Sequence, residues 1–154
     1  MPRPNPKIFN VEKHERLISV LSENMPEKEF EDSCEVVAFD ILQSYEGFEN
    51  VEKGPNFLGT PFDFFGFKDG SPYIIELKSS LNHFNAPGET QKRRLKELLE
   101  RMEGLKAAIL QVKLRKGEYR IFYHEDMEIL FQERKAPLEP IEDWIRERLK
   151  GKQT

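Results

Sequence analysis

Cysteine is nearly absent from this chain: Cys34 stands alone, so no internal disulfide can form and the disulfide-dense secreted scaffolds are excluded. No apolar run reaches membrane-spanning length and no secretory leader is visible, which sets the expectation of a soluble, cytoplasmic protein without a membrane partner. Histidine is scarce too, and His14, His83 and His124 lack the paired spacing of a zinc site. Positive charge is in deficit, 24 Lys and Arg against 28 Asp and Glu. That balance argues against a simple nucleic-acid binder, whose affinity for phosphates comes largely from Lys and Arg.

The chain does have enough apolar material to fold. Its 154 residues are 38% hydrophobic and include 12 Phe, 4 Tyr and one Trp, which suits one globular domain and is too short for two. Charge is unevenly spread. Between Gly88 and Arg120 there are 10 basic and 5 acidic residues, whereas residues 1–87 carry 8 basic and 15 acidic ones, so one sector can face an anion while the rest cannot.

Three prolines among the first six residues predict a flexible arm over residues 1–9, followed by a single domain over 10–154. A short helix is expected from Asn10 to Asn24 through Leu17, Ile18 and Leu21. A long one is expected from Glu27 to Glu46, where Phe30, Cys34, Val37, Ile41 and Tyr45 recur at helical spacing and Gly47 can end it. Extended texture follows at Phe48 to Lys53, Pro61 to Lys68 and Tyr73 to Ser79, the last two joined by the hairpin signal Asp69-Gly70. A second long helix spans Glu89 to Glu103. Strands at Leu105 to Leu114 and Glu118 to Tyr123 come next, and then a C-terminal helix from Leu138 to Lys150. The order predicts an α/β fold with a mixed central sheet flanked by helices.

The chemistry concentrates between Thr60 and Ser80, where two acids and a lysine interrupt apolar strands. Alternation puts Glu76 and Lys78 on one face and Ile75 and Leu77 on the other, and the hairpin carries Asp63 on the neighbouring strand. Two carboxylates at short range repel unless a divalent cation neutralises both. Oxygen donors favour Mg²⁺ or Mn²⁺, with the Leu77 carbonyl as a further ligand. A lysine two residues after the glutamate can orient or help deprotonate an attacking water and offset transition-state charge.

These residues resemble the PD-(D/E)xK, or restriction-endonuclease-like, nuclease superfamily, whose signature is an acid on one strand and Glu-x-Lys on the next: here Asp63 and Glu76-Leu77-Lys78. Glu35, twelve residues before Gly47, matches the helical acid, with Glu31 competing for that assignment, and Gln91 matches a glutamine near the start of the following helix. Ser79 and Ser80 match small polar residues after the lysine. The pattern is nearest to archaeal Holliday-junction-resolvase-like domains and spans about residues 31–123. Phe62 departs from it by separating Pro61 from Asp63.

The resemblance implies an α-β-β-β-α-β core and Mg²⁺-dependent or Mn²⁺-dependent hydrolysis of DNA phosphodiesters, RNA not excluded. It implies Glu35, Asp63, Glu76, Lys78 and Gln91 as catalytic residues, and Asp63, Glu76, Leu77 and Glu35 as metal ligands. Ser79, Ser80, Lys92, Arg93 and Arg94 would contact the nucleic acid, and a homodimer is the usual working form of that branch. Two other readings stand beside it: a non-catalytic nucleic-acid-binding or assembly subunit with the same fold, and a structural ion-pair network at a sheet edge. Phe57 and Phe84, expected on loops, are candidates for base stacking; Phe62, Phe64, Phe65 and Phe67 read as core.

Overall fold

A computed structural model of the chain describes residues 4–22, 24–55 and 62–124, and within them helices and strands alternate as the apolar periodicity dictates. Strand β1 (Lys7–Ile8) is followed by a 3₁₀ turn (Glu12–His14) and the short helix α1 (Glu15–Ser19). Then come α2 (Glu27–Asp40), β2 (Glu49–Lys53), β3 (Phe64–Lys68), β4 (Ser71–Ser80), α3 (Glu89–Arg101), β5 (Lys106–Lys113) and β6 (Glu118–Phe122). The strands form one sheet in the order β1-β6-β5-β4-β3-β2. Only β4 and β5 run parallel, because α3 carries the chain back between them; the other neighbours are antiparallel. This is the mixed α/β architecture that the element order predicts.

Alternation sorts the core onto both faces of the sheet. Tyr73, Ile75, Ala108, Leu110 and Val112 pack with Cys34, Val37 and Ala38 of α2 and with Ile41 just after it, while Ile74, Ala107, Ile109 and Phe122 pack with Leu95 of α3. Each fully buried aliphatic or aromatic side chain contributes about 1.5–3 kcal/mol to this assembly. No described helix is long and apolar enough to cross a membrane.

Three expectations differ in detail. Within the stretch expected to be a loose arm, Lys7–Ile8 pair with Tyr119 and Glu118 of β6, and Phe9 is buried. The helix expected over residues 10–24 shortens to α1, because the chain turns after Ser19 to bury Leu21, whose amide returns to the Ile18 carbonyl. The helix expected to run to Glu46 is regular only to Asp40 and ends in a π turn, with the Glu46 amide reaching the Ile41 carbonyl at 3.0 Å. That wider turn buries Leu42 and leaves Tyr45 exposed, although helical spacing alone would bury Tyr45. The expected helix Leu138 to Lys150 lies outside the described residues.

Candidate active site

The β3–β4 hairpin sets the register on which the site depends. Asp69 and Gly70 both have positive φ, 52° and 79°, the conformation a two-residue type I′ turn requires, and Asp-Gly is suited to it. The turn aligns Lys68 with Ser71 and, at the far end of β3, Phe64 with Ile75. Asp63 follows directly, where the regular pairing has ended. Because β4 outruns β3 there, the Leu77 amide has no strand partner and donates instead to Asp63 Oδ2 at 2.7 Å. An extended residue points its amide and carbonyl to the same edge, so the Leu77 carbonyl faces the Asp63 side as well.

Asp63 is held by main-chain bonds on both sides. Its amide donates to the Ile75 carbonyl at 2.8 Å, and its carbonyl accepts the Gly54 amide at 2.7 Å. Gly54 must be small: a Cβ there would lie 2.9 Å from the Phe62 carbonyl oxygen.

The two carboxyl groups meet in a hydrogen bond. Burial, then the Asp63 charge, pushes the Glu76 carboxyl up to about 9, against the opposing pull of Lys78. Burial also raises Asp63, as does the Glu35 charge, while the Leu77 amide and Lys78 lower it. Glu76 is only 4% exposed. A buried acid pair of this kind is what a divalent cation relieves, since it offsets both charges.

Helices bring the remaining groups. Gln91, in the first turn of α3, accepts the Gly88 amide through Oε1 at 3.1 Å and donates from Nε2 to Glu76 Oε1 at 3.0 Å. One side chain thereby finishes the helix start and orients an acid. Lys78 Nζ lies 4.0 Å from the same Glu76 oxygen. From α2, Glu35 reaches the cleft and pairs with Lys53 of β2 at 2.6 Å. Glu31 and Glu27, one and two helical turns earlier, line the same cleft, and burial raises the Glu31 carboxyl, as do its acidic neighbours.

The cleft, about 310 Å³, brings together Glu35, Asp63, Glu76, Leu77, Lys78, Ser79 and Gln91. Four of the residues expected to contact nucleic acid do not line it. Ser80 lines an adjoining cavity. Lys92 is 3% exposed and pairs with Glu89 at 3.3 Å, whereas Arg93 and Arg94 are exposed on α3. The Phe84 ring lies against the cations of Lys113 and Arg120, and Phe57 is outside the described residues. Sequence reasoning missed Gly54 and Lys53. A glycine beside Pro55 and a lysine opposite an acid in a neighbouring element were the available signals, but their partners are set by tertiary contact.

Among the described residues, no three acidic, histidine or cysteine side chains converge tightly enough to cage a metal ion. The donor set that fits is two carboxylates and one main-chain carbonyl, leaving several positions for water, as Mg²⁺ prefers. No protein-family model matches the chain, and no curated protein matches it.

Proposed function

We propose that the protein is a metal-dependent nuclease that hydrolyses DNA phosphodiester bonds, using the PD-(D/E)xK arrangement of residues. One observation carries the reading: Asp63, whose carboxylate takes the Leu77 amide, shares one cleft with Glu76, Leu77 and Lys78. The order α2-β2-β3-β4-α3-β5 supports it, being the core order that the resemblance implies. Fold order alone would not carry a function.

In this reading Asp63, Glu76 and the Leu77 carbonyl hold Mg²⁺ or Mn²⁺, with Glu35 as an outer acid. The cation supplies Lewis-acid polarisation of the phosphodiester. Lys78 orients the attacking water and offsets the negative charge that builds on the phosphorus oxygens. Gln91 keeps Glu76 turned toward the cleft, and the Leu77 amide does the same for Asp63.

The test is incubation of purified protein with labelled single-stranded, duplex and branched DNA, and with RNA, in Mg²⁺, Mn²⁺ or EDTA. Cutting that requires the cation is the expected result. Cutting unaffected by EDTA overturns the mechanism, and binding that persists in EDTA without any turnover makes the chain a non-catalytic subunit.

A further inference from the structure

Past Lys78 the cleft continues. A second cavity of about 310 Å³ runs on along the C-terminal end of β4, and the two share Glu27, Phe30, Ser79 and Asn85 in their walls. The second compartment adds apolar Met25 and Leu81, and polar Ser22, Ser80 and His83. Among the described residues, its lining contains no Lys or Arg and one carboxylate, Glu27. A phosphate entering it would lose water without gaining a cation. An uncharged planar group with hydrogen-bonding edges would instead meet an aromatic ring, a thioether, hydroxyls and an amide.

The wall of this compartment is firmly built. Gln111, 1% exposed, donates from Nε2 to the Asn85 carbonyl at 2.7 Å. The neighbouring Phe84 ring has the Lys113 ammonium 4.2 Å from its centroid and the Arg120 guanidinium 4.7 Å from it. The carbonyls of Ser80 and Leu81 accept the amides of Leu114 and Arg115 at 2.9 and 3.0 Å. The segment after β4 is thereby anchored on β5 and β6.

We propose that this compartment is a nucleobase subsite, receiving one unpaired base beside the scissile phosphodiester, with Phe30 against its face and Ser80 and Asn85 at its edge. The proposal rests on the nuclease reading and narrows its substrate to strands with an unpaired nucleotide at the cleavage position. Ligand pockets run from about 300 to 1,000 Å³, so this compartment, at about 310 Å³, has room for a base. A fully paired duplex must first unstack that base, which disfavours it.

Two readouts test the subsite. In the first, a single 2-aminopurine is walked along an unpaired strand and its fluorescence is followed on binding in Ca²⁺, with wild type and with Phe30→Leu. In the second, an abasic site replaces each nucleotide in turn and cleavage is measured in Mg²⁺. The expected result is one position whose fluorescence responds to wild type and not to Phe30→Leu. Removing that base should slow wild-type cleavage about tenfold or more, the effect of losing one base–aromatic stack, and should barely affect the variant. Asn85→Asp, which keeps the shape and adds a charge, replaces Phe30→Leu if the latter fails to fold. Cleavage without any responsive position overturns the subsite and leaves the nuclease standing. A responsive position without cleavage overturns the nuclease and keeps the base-binding site.

Discussion

Replacing Gly54 by alanine measures how far the site depends on the backbone that carries Asp63. The added Cβ would lie 2.9 Å from the Phe62 carbonyl oxygen and 3.2 Å from two carbons of the Phe62 ring. The ring can give way, but the carbonyl belongs to the main chain immediately before Asp63. The strands cannot simply separate either, because the Gly54 amide is bonded to the Asp63 carbonyl at 2.7 Å. Relief therefore has to move Asp63.

Overpacking of this kind costs about 1–3 kcal/mol of stability, and a misplacement on the order of 1 Å at a reacting group costs about a hundredfold in rate. Gly66→Ala is the matched control, since its Cβ would meet Val51 Cγ2 at 3.2 Å and the Glu49 carbonyl at 3.4 Å, crowding the same strand pair away from the cleft. Thermal unfolding and the cleavage rate per folded molecule are compared for both variants. The expected outcome is similar losses of stability, with a rate loss of at least about tenfold confined to Gly54→Ala. Wild-type cleavage by Gly54→Ala, or rate losses that track stability equally in both variants, would refute the reasoning.

Glu46 is a buried carboxylate that accepts the Tyr119 and Tyr123 hydroxyls, each at 2.6 Å, and the Lys7 ammonium at 2.9 Å; Glu46→Ala should lower stability by about 3 kcal/mol in urea unfolding. Burial alone would raise its pKa, but those donors and the Lys7 charge outweigh it and hold it below the ordinary 4.5. Its stabilisation is therefore complete above pH 4.5 and is lost as pH falls through the lower folded value, so urea midpoints of wild type and variant should converge in acid; a constant gap would count against this. Gln91→Leu releases Glu76 and should slow cleavage about 10–100-fold with the fold retained by circular dichroism. Lys53→Met breaks an ion pair whose lysine side chain is 64% exposed, so the melting transition should shift by less than about 1 kcal/mol; a larger loss would show the pair to be structural.

The hairpin was legible in the sequence because Asp69-Gly70 is a local signal, and with it came the shared face of Glu76 and Lys78. The long helices were legible because their apolar stripes are local as well. Register beyond the hairpin was not: that Asp63 shares a cleft with Glu76, and that its carboxylate takes the Leu77 amide, depends on where β3 stops pairing. The Glu46 cluster draws on residues from α2's end, β1, β3 and the end of β6, and no periodicity reports contacts that distant in sequence. Lys92 reads as one of three basic residues in a row, yet helix geometry turns it inward to Glu89 while Arg93 and Arg94 stay outside. The parallel pairing of β4 with β5 follows from α3 lying between them, which the element order allows but does not compel.

Single-turnover cleavage by wild type, Asp63→Asn and Lys78→Ala, each verified as folded and each measured in Mg²⁺ and in EDTA, tests the central claim most directly. Metal-dependent cutting by wild type and its loss in both variants is the result expected. Cutting by either variant at the wild-type rate would contradict the assignment of this cleft as the nuclease centre.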